Sequence, residues 1–305
     1  MTRLTGLIAA PHTPFHPDGS LNSDAIDRQV DHLARSGVDG AFICGTTGEG
    51  MSLTNTERRT VAERWIKAAA GRFPVIVHVG HACVKDVQEL ATHAEGVGSD
   101  AIAAVPPFYH KPASVAEVAR FLGAVARSAP RTALYYYDIP GMTGVSVPTV
   151  ELMARAAEEA PTFAGVKYSN PDLVGLQECL AFRDGSLDVL FGIDEELLAT
   201  VALGVRGGVG STYNYAAPLY KRMLAAFDAS DMPQARRLQR RSVELVRAIE
   251  AHGGFAANKE VMRLVGVDCG PVRPPLTPIE PADANRLKDQ LDDIGFFTDP
   301  VFRPA

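Results

Sequence analysis

The sequence predicts one (β/α)8 barrel followed by a helical lobe, and three observations carry that reading. Eight short apolar runs alternate with stretches whose apolar residues recur every three or four positions. Several of the runs are apolar throughout, as parallel strands covered on both faces must be. The chain has 305 residues, 46% hydrophobic and 22% charged, which supplies a core for a single large barrel.

The elements follow in order. Residues 7–10 form the first run, and the helix after it carries Ile26, Val30 and Leu33 on one face and ends at Gly37. Residues 40–44 form the second. Thr54 and Glu57 are spaced as a capping box, and the helix they open turns Val61 and Trp65 inward and stops at Gly71. Residues 74–79 make the third strand and 84–96 its helix. The fourth is 101–105, followed by Ser114 and Glu117 as a second capping box and a helix carrying Val118, Leu122 and Val125. The remaining strands are predicted at 133–137, 163–167, 189–192 and 207–210, with helices near 148–160, 172–183, 195–203 and 217–228. The barrel is therefore assigned to residues 1–228. Residues 229–305 read as a helical extension packed on it, with helices at 231–252, 256–265 and 282–293 divided by the proline-rich run 271–281.

Composition narrows the function. A net charge of -6 argues against a general nucleic-acid surface, and the basic group Arg236, Arg237, Arg240 and Arg241 falls in a helical pattern with Glu244 nearby, as on a solvated face. The four cysteines, Cys44, Cys83, Cys179 and Cys269, are widely spaced and form no C-x-x-C pair, which fits a reduced, cytoplasmic setting. The first apolar run is stopped by Pro11, too early for a signal-peptide core. No run approaches the roughly 18 apolar residues of a membrane span.

In such a barrel the chemistry lies at the carboxyl ends of the strands, so the residues just past each run are informative. These are Gly45 to Glu49 after the second run, Tyr137 and Asp138 after the fifth, Lys167 at the end of the sixth, Gly192, Asp194 and Glu195 after the seventh, and Ser211 to Asn214 after the eighth. Strict alternation puts Phe163, Gly165 and Lys167 on one face, so Lys167 is expected to enter the same core as Phe163. A buried ammonium is costly to keep charged, and the neutral amine attacks carbonyl carbon. Taken alone, a lysine at a strand end is more often ion-paired or snorkelling. The convergence of Thr46, Thr47, Tyr137 and Lys167 favours catalysis. His78 and His81 have a metal-like spacing, but a strand end places the rings at different heights, so no metal is expected. Gly204, Gly207, Gly208 and Gly210 read as close packing where the barrel closes rather than as a phosphate cradle.

These residues sit within longer motifs: GTTGEG at 45–50, ERR at 57–59, HVG at 78–80, PPF at 106–108, YYYDIP at 135–140, GVKYSNPD at 165–172, FGIDE at 191–195 and GSTYNY at 210–215. Together they resemble the pyruvate-dependent class I aldolase family that contains N-acetylneuraminate lyases and dihydrodipicolinate synthases, with the lyase branch the nearer. The resemblance implies that Lys167 forms an imine with a 2-oxo acid and that Tyr137 shuttles the proton of the substrate hydroxyl. It implies that Thr46 and Thr47 grip the carboxylate. Gly192, Asp194 and Glu195 would hold the hydroxyls of a sugar chain, with Ser169 and Ser211 adding contacts. Tyr109 sits where many members present a tyrosine across a subunit interface to the neighbour's Tyr137. No cofactor beyond the lysine imine is implied, and homotetramers are usual.

The implied reaction is cleavage of N-acetylneuraminate to N-acetylmannosamine and pyruvate. Dihydrodipicolinate synthesis and cleavage or dehydration of another 2-oxo-3-deoxy sugar acid share the chemistry, whereas a non-catalytic barrel leaves the lysine, tyrosine and threonine set without a use. Met142 bears on the choice, because synthases usually carry an arginine at its place, where a cation serves a carboxylate-rich reaction. Asp138 departs from the asparagine often found after the tyrosine, which leaves the electrostatics around Tyr137 open.

Overall fold

The computed structural model describes residues 3–304. Its elements are β1 (Gly6–Ala9), α1 (Ala25–Ser36), β2 (Gly40–Ile43), α2 (Asn55–Ala69), β3 (Val75–His78), α3 (Val84–Gly96), β4 (Ala101–Ala104), α4 (Val115–Ser128), β5 (Ala133–Asp138) and α5 (Pro140–Thr143). There follow α6 (Thr149–Glu159), β6 (Phe163–Tyr168), α7 (Leu173–Ala181), β7 (Asp188–Phe191), α8 (Leu197–Ala202), β8 (Gly207–Gly210), α9 (Tyr213–Asp228), α10 (Met232–Ala251), α11 (Phe255–Leu264) and α12 (Pro281–Asp293). All strand pairs are parallel, and the sheet closes through β1 against β8, with Gly6 opposite Gly207 and Ala9 opposite Gly210. No helix among the described residues is long and apolar enough to cross a membrane.

Two apolar layers result from the strand alternation. Ile8, Phe42, Ile76, Ala103, Leu190 and Val209 fill the barrel, while Leu7, Ala41, Val75, Ile102, Val189 and Phe191 meet the surrounding helices. Three of the four residues of β8 are glycine for a steric reason. A Cβ on Gly207 would lie 2.7 Å from Leu190, one on Gly208 2.7 Å from the Tyr213 hydroxyl, and one on Gly210 2.0 Å from Asp194. Gly204 differs from the expectation: nothing crowds it, and its φ of +110° is what calls for glycine.

The strand carrying Lys167 departs from simple alternation. Phe163, Val166 and Tyr168 join the outer layer, whereas Ala164 packs on the inner cluster and the Lys167 amine lies over the inward rings of Phe42 and Tyr137. Phe163 and Lys167 therefore occupy different cores, contrary to the period-two reading. The cause is a register shift against β5, where Leu134 pairs with Phe163 but Tyr135 pairs with Gly165. Gly165 is the residue that fits there, because a Cβ would stand 2.1 Å from the Asp188 carbonyl oxygen.

Helix ends follow the capping chemistry with one difference. Thr54 and Glu57 form a complete capping box. Ser114 accepts from the Glu117 amide at 3.3 Å, but the Glu117 carboxylate takes the amide of Ala113 at 2.6 Å, so that box is half formed. Helix α9 begins four residues before the predicted 217, at Tyr213, and absorbs Pro218 through a non-helical Ala216. Beyond it, α10 and α11 bury Leu245, Ile249, Val261 and Met262 in the outer core.

Gly165→Ala is expected to lower stability by about 1–3 kcal/mol, the range for overpacking an interior, read from denaturant unfolding. Wild-type stability in that variant would show that the bulge tolerates a side chain.

Candidate active site

The loops at the carboxyl ends of the strands enclose a cavity of 320 Å³ lined by Thr46, Thr47, Tyr137, Lys167, Ser169, Gly192, Asp194, Glu195 and Ser211. Nine of the ten residues expected from sequence thus meet at one place. Tyr109 does not. It is 78% exposed and packs edge-on against His110.

Lys167 and Tyr137 are register partners on neighbouring strands, which fixes their side chains next to one another. The Lys167 amine lies 4.0 Å from the centroid of the Tyr137 ring and 4.1 Å from that of Phe42, and the residue is 4% exposed. The Tyr137 hydroxyl is 3.2 Å from Thr46 Oγ1. The Thr46 and Thr47 amides have no acceptor within the protein among the described residues, so both can serve a ligand carboxylate. The glycines of the loop have specific uses. A Cβ at Gly45 would lie 2.7 Å from the Phe42 ring, and one at Gly50 1.9 Å from the Cys44 carbonyl oxygen.

His78 supports this group from behind. Its ring packs edge-on against Tyr137 at 5.8 Å and tilted against Phe42 at 6.0 Å. Nδ1 lies 3.0 Å from the Cys44 carbonyl oxygen, and Nε2 accepts from the Val105 amide at 3.4 Å, an arrangement for a neutral imidazole. Burial, reinforced by the cations of Arg58 and Lys167, holds its pKa well below the usual histidine range. Arg58, from the ERR motif, is itself buried and donates to the carbonyls of His78 at 2.6 Å and Gly80 at 2.9 Å. His81, half-buried, lies 3.4 Å from Asp86.

At this cavity, sequence comparison gives the decisive observation: residues 3–294 match the model of the dihydrodipicolinate synthetase family. The chain belongs to that family. The N-acetylneuraminate lyase of Danio rerio is 40% identical over 296 residues, which span 95% of this chain and 96% of the relative. The N-acetylneuraminate lyase of Gallus gallus is 40% identical over 297 residues, 96% of each chain. The solved structure of Proteus mirabilis N-acetylneuraminate lyase superposes with a TM-score of 0.95 at 38% identity, covering 97% of this chain and 100% of that one.

Opposite the lysine, this dihydrodipicolinate synthetase family member carries an acidic wall. Asp194 Oδ2 accepts from the amide of Thr212 at 2.8 Å and from its hydroxyl at 2.6 Å, which sets the carboxylate in one orientation. Burial raises the Asp194 pKa against the opposing effect of these bonds and of the Lys167 cation. Burial also raises that of Glu195, with Asp194, Glu250 and Glu196 adding to it. Gly192 is needed because a Cβ would stand 1.9 Å from Ser169 Oγ and 3.4 Å from Lys167 Cε. Asp138 faces the outer side, where Oδ2 accepts from Thr149 at 2.8 Å and Asn170 at 3.1 Å; it braces β5, α6 and the loop after β6 rather than the Tyr137 hydroxyl.

Several wall residues were not foreseen. Val246, Ile249 and Glu250 of α10, with Phe255 and Asn258 of α11, close the cavity from the C-terminal extension. The only trace of them in sequence is the amphipathic helix pattern, which any packed helix shows. Met142 is 61% exposed and lines an adjoining recess with Phe108, Ile139, Thr46 and Phe255.

The neutral, buried His78 makes a pH prediction. The folded pKa is depressed, so the unfolded chain takes up a proton below about pH 6.5 that the folded chain refuses. Stability should fall as pH drops from 7 to 5, and His78→Gln should make the slope shallower by up to about 1.4 kcal/mol per pH unit. Denaturant unfolding across that range measures it; an unchanged slope would mean that folded His78 is charged.

Proposed function

We propose that this chain is a Schiff-base aldolase that cleaves N-acetylneuraminate to N-acetylmannosamine and pyruvate. The observation that carries the reading is the buried Lys167 amine beside the Tyr137–Thr46 pair, facing the carboxylates of Asp194 and Glu195 across one cavity. The names of the relatives point the same way. Lys167 attacks the C2 ketone of the open-chain sugar acid, and loss of water leaves a protonated imine. Tyr137 gives its proton to the hydroxyl that departs as water when the imine forms, and the resulting phenolate takes the proton of the C4 hydroxyl through the Thr46 hydroxyl or the substrate carboxylate as the C3–C4 bond breaks. Its electron pair passes into the imine, giving an enamine and the aldehyde of N-acetylmannosamine. Protonation of the enamine at C3 and hydrolysis return pyruvate and the free lysine. The free amides of Thr46 and Thr47 suit the carboxylate at C1, and Asp194, Glu195, Ser169, Gly192 and Ser211 suit the polyol. This scheme needs no metal or further cofactor.

The same reading includes a homotetramer in the cytoplasm. Exposed Tyr109, in the segment after β4, and exposed Met142, in α5, support a subunit contact in which Tyr109 reaches the partner's site. The free thiols of Cys44, Cys83, Cys179 and Cys269 suit a reducing compartment.

Incubation with pyruvate and a hydride donor should add one reduced pyruvate to the peptide containing Lys167, seen by mass spectrometry. Lys167→Arg should be inactive, since a guanidinium does not release the proton needed for attack. Label on another residue of active enzyme would overturn the mechanism.

Dihydrodipicolinate synthesis is the second reading, because the matching family carries that name. Met142 speaks against it, as a thioether offers no charge to a second carboxylate. A panel of N-acetylneuraminate, a shorter 2-keto-3-deoxy sugar acid, and pyruvate with aspartate semialdehyde should show cleavage of the first and negligible condensation of the last. Asp194→Ala should raise KM for the sugar acid while leaving the pyruvate adduct intact. Efficient condensation would assign the chain to the synthase branch.

A further inference from the structure

The loop that carries Thr46 and Thr47 is held by an ion pair whose cation comes from the C-terminal extension. Glu49 adopts a left-handed backbone, φ 52° and ψ 33°, which a non-glycine residue keeps only when its surroundings enforce it. Its amide donates to the Thr46 carbonyl at 3.0 Å, so the orientation of Glu49 is passed directly to the carboxylate-facing turn. Its side chain is buried, and Glu49 is not among the residues lining the cavity. Lys259 Nζ of α11 lies 2.7 Å from Glu49 Oε1, and the Arg273 amide donates to Oε2 at 2.8 Å. Lys259 is 3% exposed and Glu49 5%. The Lys259 ammonium also donates to the Pro271 carbonyl at 2.7 Å and lies 4.3 Å from the centroid of the Phe15 ring.

The same helix forms part of the cavity wall. Phe255 and Asn258 face the site, and Asn258 Oδ1 is fixed by the Tyr215 hydroxyl at 2.6 Å. Thus α11 reaches the site twice, once as a wall and once by holding the loop that would receive the substrate carboxylate.

We infer that Lys259 and Glu49 are positioning residues for 2-oxo acid binding: the ion pair holds the Thr46 and Thr47 amides in the geometry that grips the carboxylate. The inference rests on the reading of Lys167 as the imine-forming residue and adds a requirement for binding rather than for chemistry. Loss of the pair should therefore weaken pyruvate affinity and leave the rate at saturation nearly unchanged.

The test follows cyanoborohydride trapping of the pyruvate adduct as a function of pyruvate concentration, alongside thermal melting, in wild type, Lys259→Met, Glu49→Gln and the double variant Glu49→Gln/Lys259→Met. Each single variant leaves one buried charge without its partner, whereas the double variant leaves none and is the one expected to melt near wild type. In every variant that melts as a folded protein, half-saturating pyruvate should rise at least about tenfold while the plateau rate stays within about threefold, because only ground-state binding is lost. In the double variant melting should recover but affinity should not. Recovery of affinity together with melting, or an unchanged half-saturation in folded Lys259→Met, would make the pair merely structural and overturn the inference. Failure of wild type to form the adduct would instead overturn the reading of Lys167, so the two results are separable.

Discussion

The structure depends on keeping an amine buried at the open end of a closed barrel. Lys167 must reach the interior while its neighbours remain close-packed, and its nearest partners are the faces of Phe42 and Tyr137. An aromatic face attracts a cation without accepting its proton, so it tolerates the charged amine and leaves the neutral one free to react. The shape of the surrounding strands follows from this. The bulge at Gly165 turns Lys167 inward, Gly192 leaves room for Ser169 beside its stem, and His78 backs the aromatic pair in neutral form.

A second consequence concerns charge. Asp194 and Glu195 stand opposite the amine, and burial raises the pKa of both. The Thr212 bonds and the Lys167 cation oppose that shift at Asp194, so the carboxylate is anchored within the wall. Thr212 is tied in turn to Tyr220 at 2.6 Å, and Tyr220 to Ser242 of α10 at 2.8 Å. This chain of hydroxyls carries the acidic wall onto the extension, as Glu49 and Lys259 carry the threonine loop. The extension thus supports both sides of one cavity, and removing a partner from either network leaves buried polar groups unmatched.

The sequence by itself determined the barrel and most of its site. Apolar runs of regular spacing can be satisfied by parallel strands covered by helices, and in that architecture the residues after each run must gather at one mouth. Thr46, Tyr137, Lys167 and Asp194 were legible for that reason. What the tertiary structure alone decided depends on contacts between segments far apart in the chain. Period-two alternation predicted that Lys167 shares a core with Phe163, but the register shift against β5 separates them, and such a shift is set by the partner strand. Asp138 could be aimed only once Thr149 and Asn170 were in place. Lys259 and Glu49 are 2.7 Å apart in space but lie in segments whose local patterns read as an ordinary helix and an ordinary turn. Local chemistry names the residues able to react; long-range packing decides which face each one occupies and what holds it there.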